Sequence, residues 1–209
     1  MYRNFANVDL NSGSSTGVGY SALDVLEPKA WSSIFGGTNA AGETTKTLLS
    51  ELEINLRFTV GTQPAPVVIH CFLVTLKRAA NVVSMGSLTN DVEYSTMPPG
   101  NPESHENVIL NEKVFKIHRH RKFTLAQQPE GDSYVGNKGG NPYCSWKDIK
   151  WKLYPKMMLK SVQGDWTTLS ITDLPPSQRM YILCFFNNSY SAYHDGYAAN
   201  FLYTCKNMY

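Results

Sequence analysis

The chain has 209 residues, 42% of them hydrophobic and 17% charged, which suits one large β domain with a packed core and excludes global disorder. Its net charge is only +2, so it is not a polycation, and the scarcity of charge leaves few residues for an acid/base site. The four cysteines, Cys71, Cys144, Cys184 and Cys205, make no CxxC pair, no N-terminal segment reads as a signal peptide, and no apolar run reaches the ~20 residues of a membrane span. Free thiols in a reducing compartment, no cofactor, no metal and no membrane insertion are therefore expected.

Residues 1–42 are rich in Asn, Ser, Gly and Thr and are predicted to form an extended N-terminal arm, with the folded domain over 43–209. Ser21–Leu26 is expected to start a short helix stopped before Pro28. Trp31, Ile34 and Phe35 call for burial on this subunit or a neighbour. Thr47–Val60 is the first strand: Leu52, Ile54, Leu56 and Phe58 alternate with Glu51, Glu53, Asn55 and Arg57. Val67–Lys77 is the second. It is almost uniformly apolar and so covered on both faces, with His70 as a satisfied core histidine. Residues 79–106 are a long, turn-rich loop of the kind that makes binding or assembly contacts.

Glu112–Leu125 begins and ends as a strand, but its middle, His118–Lys122, is five basic or titratable residues in a row. Simple alternation would put Lys116, His118, His120 and Lys122 on one face and Arg119 and Arg121 on the other, unless a bulge re-aims them. Residues 127–142 form a polar loop, and Ser145–Leu159 is a further strand interrupted at Pro155. A short strand is expected at Asp165–Ile171, a buried one at Arg179–Phe186, and a last one at Tyr197–Lys206. Six or seven strands, two long loops and no long helix argue an all-β fold, a single jelly-roll β-sandwich with long inter-strand connections.

No catalytic motif is present. Gly19-Tyr-Ser-Ala-Leu23 fails as a nucleophile elbow, His105-Glu106 has no second histidine at metal spacing, and the acids are scattered singly. An enzyme is not expected. Basic residues are instead clustered. Lys113, Lys116, Arg119, Arg121 and Lys122, with Lys147, Lys150, Lys152, Lys156 and Lys160, make up ten of the 19 Lys+Arg. The candidate nucleic-acid-binding residues are Lys116, His118, Arg119, His120, Arg121 and Lys122, supported by Lys150 and Lys152. Two basic strands in one sheet would form a positive patch, and the nearby Phe115, Phe123, Trp146 and Trp151 offer stacking for bases. Such a surface binds single-stranded nucleic acid in a salt-dependent, sequence-blind way. His118 and His120 would add charge below about pH 6.5.

The run Asn111-Glu-Lys-Val-Phe-Lys-Ile-His-Arg-His-Arg-Lys-Phe-Thr-Leu125 resembles a strand of the capsid proteins of small circular, Rep-encoding single-stranded DNA viruses. Those proteins often carry a similar N-P-x-x-F-K-V-x-x-x-x-x-F-x-L run. Strand order and loop lengths from Thr44 to Lys206 are compatible with the resemblance. It implies an eight-stranded capsid jelly roll that self-assembles into a small icosahedral shell around circular single-stranded DNA. It also implies a place in the virion, with assembly in the host nucleus or cytoplasm and a host-cell receptor or glycan as a further partner. Such proteins usually begin with an Arg/Lys-rich arm, whereas residues 1–42 hold only Arg3 and Lys29. Either such an arm lies outside this sequence or the packaging charge comes from the sheet face. The alternative is a jelly-roll carbohydrate-binding module in which Tyr190, Tyr193 and Tyr197 stack on sugars.

Overall fold

The computed structural model describes residues 2–9, 19–26, 46–59, 67–77, 85–96, 107–125, 146–160, 171–186 and 196–208. They hold eleven strands: β1 (Tyr2–Asp9), β2 (Gly19–Asp24), β3 (Lys46–Thr59), β4 (Val67–Leu76), β5 (Tyr94–Thr96), β6 (Val108–Leu110), β7 (Phe115–Leu125), β8 (Trp146–Leu153), β9 (Met157–Lys160), β10 (Met180–Phe186) and β11 (Gly196–Met208). One sheet has the order β1-β11-β3-β8, with β9 also on β3. The other has the order β2-β10-β4-β7, and β5 and β6 make a small ribbon. All pairings between these strands are antiparallel.

Taking the eight strands of the two main sheet paths in chain order, the first pairs with the last, the second with the seventh, the third with the sixth and the fourth with the fifth. That is one long hairpin rolled up on itself, the jelly-roll arrangement. The fold is an all-β jelly-roll sandwich, as expected. Of residues 1–42, the described stretches 2–9 and 19–26 are not set apart from it, because they supply β1 and β2, one strand to each sheet. Ser21–Asp24 is likewise strand and not helix. Ala22 and Leu23 are good helix formers, but propensity over so short a run is a weak bias, and pairing with β10, Ser21 opposite Cys184 and Leu23 opposite Ile182, overrides it. Trp31–Phe35, the 127–142 loop and most of the short strand expected at 165–171 lie outside the described residues. Ile171 itself opens a short 3-10 turn.

The alternation in β3 does what period 2 requires. Leu52, Ile54 and Phe58 are fully buried, while Arg57 faces solvent. The inner row meets Leu153, Trp151 and Ile149 of β8 on one side and Tyr203, Phe201, Ala199 and Tyr197 of β11 on the other. In the facing sheet β4 is buried on both sides, for two different reasons. Cys71 lies opposite Cys184, which faces Tyr197 across the sandwich. Phe72 and its neighbours face outward, under the segment between β4 and β7. There Tyr94 packs on Phe185 at 4.9 Å and the Leu88 amide donates to the Tyr20 hydroxyl at 2.5 Å. The Tyr203 hydroxyl donates to the Val25 carbonyl and ties the end of β2 to the opposite sheet.

Phe58 stacks on Tyr197 at 5.0 Å and meets Phe123 edge-on at 5.1 Å, so it joins the sheets across the core. Phe58→Ala is expected to lower unfolding stability by about 3–5 kcal/mol. The exposed Val92→Ala should change it by less than about 0.5 kcal/mol. Guanidinium unfolding of both variants checks this; equal midpoints would contradict the packing.

Candidate nucleic-acid interface

The two basic strands do not share a sheet. β7 is the last strand of one sheet path and β8 the last strand of the other, and they run beside each other along the same open side of the sandwich. A strand that ends a sheet leaves one row of backbone groups unpaired, and charge on its side chains is the usual guard against stray pairing.

The expected alternation along β7 is broken by a bulge. Leu73 lies opposite Arg119 but Val74 lies opposite Ile117, so His118 is the additional residue. A bulge sets two residues against one and shifts the phase of every side chain beyond it. Residues directly opposite on antiparallel strands share a face. Lys116 therefore goes with Thr75, and Arg119 and Arg121 go with Leu73 and Cys71, toward the other sheet. His120 and Lys122 go with Phe72 and His70, on the opposite side. The shift gathers Lys116, His118, Arg119 and Arg121 on the side facing β8, a set that strict alternation would have split.

Two depressions follow this side. One, of about 610 Å³, is lined by Lys77, Lys116, His118 and Arg119 against Lys152 and Tyr154. The other, of about 360 Å³, places Arg121, Lys122 and Phe123 against Lys147 and Lys150. Among the described residues Asp148 is the one acid lining either of them, and Arg57 holds it with two hydrogen bonds of 2.8 and 2.9 Å. That guanidinium keeps the Asp148 carboxyl below the usual carboxylate range.

The supporting lysines are differently placed from those of β7. Lys150 pairs with Glu53 at 2.9 Å and Lys152 with Glu51 at 2.7 Å, both across to β3. The Asn55 amide and Lys150 together hold Glu53 below its ordinary value. Exposed pairs of this kind are weak, so a phosphate could compete for either lysine, but the local charge is already balanced. Among the described residues no ion pair involves Lys116, Arg119, Arg121 or Lys122. Lys77 and Lys147 join the same side. Their runs were basic in sequence, but only the meeting of two sheet edges makes them part of the surface.

The histidines act as scaffold. His118 Nε2 lies 2.9 Å from the Thr75 hydroxyl. The His120 ring stacks on Phe72 at 4.0 Å, and its Nε2 lies 3.2 Å from His70 Nδ1, so one of those two nitrogens carries the proton and the other accepts it. His70 is buried and has this partner within the fold. His118 and His120 point to opposite faces, so the pair does not converge. Both pKa values fall below that of an ordinary histidine. Burial is the first cause for each, followed by Lys116 and Arg119 for His118 and Lys122 for His120. Of the four aromatics expected near the bases, Phe115 and Trp151 are buried, Phe123 is half-buried, and Trp146 is 61% exposed with the Arg57 guanidinium 5.2 Å from its ring centre. Tyr197 is buried in the core and cannot stack on a sugar; Tyr190 and Tyr193 lie outside the described residues.

Because folding depresses both histidine pKa values, the unfolded chain binds more protons just below pH 6.5. The associated stability is complete above that pH and is lost as pH falls through the folded values. An NMR titration of the His118 and His120 imidazoles should place both midpoints below 6.5. A midpoint above 6.5 for either would contradict the burial.

No protein-family model and no curated protein matches the chain. Among solved structures, that of desmodium yellow mottle tymovirus is similar over 100% of this chain and 89% of that chain, at 8% identity and a TM-score of 0.34. A likeness of that size adds nothing to the fold, which rests on strand order and register.

Proposed function

We propose that the protein is a structural capsid subunit that self-assembles into a small icosahedral shell and packages circular single-stranded DNA. The observation that carries this reading is the row Lys116, Arg119 and Arg121 on β7, free of ion pairs among the described residues and aimed by the bulge along one side of a jelly roll, with Lys122 at its rim. Arg119 and Arg121 supply planar forks that match phosphate, and Lys116 and Lys122 supply point charges. At neutral pH the neutral His118 and His120 hold the strand in shape and leave the charge to those four. Lys150 and Lys152 contribute only where phosphate displaces Glu53 and Glu51. The circular single-stranded genome is taken from the resemblance of Asn111–Leu125 to capsid proteins of that class. On this reading the protein is found in the virion and, during assembly, in the host nucleus or cytoplasm, and it has no catalytic role.

Light scattering and negative-stain imaging of purified protein at low and high salt test the shell. Closed particles some tens of nanometres or less across, with nucleic-acid absorbance, are expected. A monomer or dimer free of nucleic acid under every condition would overturn the proposal. For single-stranded DNA each neutralised phosphate contributes about −0.7 to the slope of log affinity against log salt. Arg119→Ala with Arg121→Ala should therefore flatten that slope by about 1.4, whatever the DNA sequence.

A further inference from the structure

A third depression lies on the outer face of the β1-β11-β3-β8 sheet, and the cationic row does not reach into it. Two neighbouring rows cross the four strands there. One is Phe5, Asn200, Asn55 and Lys150; the other is Asn7, Ala198, Arg57 and Asp148. Together they line a cavity of about 480 Å³. Its charges cancel, because Arg57 forks onto Asp148 and Lys150 meets Glu53. What remains is a floor of three asparagine amides around the small Ala198. The Asn200 Oδ1 is buried with no hydrogen-bond partner among the described residues. Two exposed aromatics flank the floor: Phe5 on β1, 66% exposed, and Trp146 at the β8 side, 61% exposed.

A neutral amide floor does not select phosphate. Amides donate to and accept from the edges of nucleobases, and exposed rings stack on their faces. A neutral glycan would use similar groups. Continuity decides between them. Asp148, Ile149 and Lys150 line this cavity and also the basic depression that holds Arg121, Lys122 and Lys147. A chain whose phosphates follow those cations carries its bases over β8 and onto the amide floor, since adjacent strands are only about 4.8 Å apart. We propose that the Phe5–Asn200–Asn55–Arg57 groove is a nucleobase-binding site contiguous with the phosphate-binding side. The assignment rests on the nucleic-acid reading above and extends it from charge to base contacts.

The test compares a labelled oligo-dT with an abasic oligonucleotide of the same length, by fluorescence anisotropy on the full chain. The unaltered protein should prefer the base-bearing strand by about 25-fold or more, about five-fold or more from each ring. Phe5→Ala and Trp146→Ala should each remove about five-fold or more of that preference. Both should leave the abasic affinity and its salt slope unchanged. Equal affinity for the two strands, or a preference that survives both substitutions, would overturn the base site and leave the phosphate-binding side standing. Binding of neither strand would overturn both. Tighter binding of a neutral oligosaccharide such as chitohexaose than of oligo-dT would assign the groove to glycan instead.

Discussion

The inner row of β3, Leu52, Ile54, Leu56 and Phe58, is the constraint on which the molecule depends. Each of its side chains lies between one from β11 and one from β8, and Phe58 reaches Phe123 of the other sheet. Once that row is buried, period 2 leaves no freedom for the alternate residues. Glu51, Glu53, Asn55 and Arg57 must face outward, where they meet Lys152, Lys150 and Asp148 across to β8. The ion pairs on this face are thus a consequence of the core. Their small individual worth suits a face that stays neutral without being locked.

The facing sheet solves a different problem. Its outer surface is apolar and is covered from above by the segment bearing Leu88 and Tyr94. With one sheet covered and the other neutralised, unbalanced charge is left along the side where β7 and β8 end their sheets. The bulge at His118 makes that side useful, because it turns residues that alternation would scatter into one row. The same charged side chains guard an edge strand against misplaced pairing.

Much of this was legible in the residues themselves. The alternation of β3 and the apolar runs of β4 and β10 announced strands, and the basic run announced its charge. β1 was not legible. Its packed side is Ala6 and Val8, and its outward side carries Phe5, which inverts the pattern that marks a half-buried strand. β2 is short and helix-tolerant, and only its partner β10 decides its state. The bulge leaves no trace in His-Arg-His-Arg, because it is a property of how β7 is registered on β4. The partners of Lys150 and Lys152 were equally hidden. Glu51 and Glu53 lie far away in sequence and come within reach only through the pairing of the third strand of the roll with the sixth.

The pairing of Tyr2 with Tyr203 sets the order in which the sandwich can be completed. β11 lies between β1 and β3, so that sheet has no centre until the last strand has left the ribosome. Until then β1 and β3 lack the partner that joins them, with the inner row of β3 still to be covered from the β11 side. Topologies dominated by such distant contacts fold slowly, in roughly milliseconds to seconds. During synthesis that interval leaves unpaired strand edges open to misassociation, so a cell making many copies at once would draw on chaperones until the roll closes.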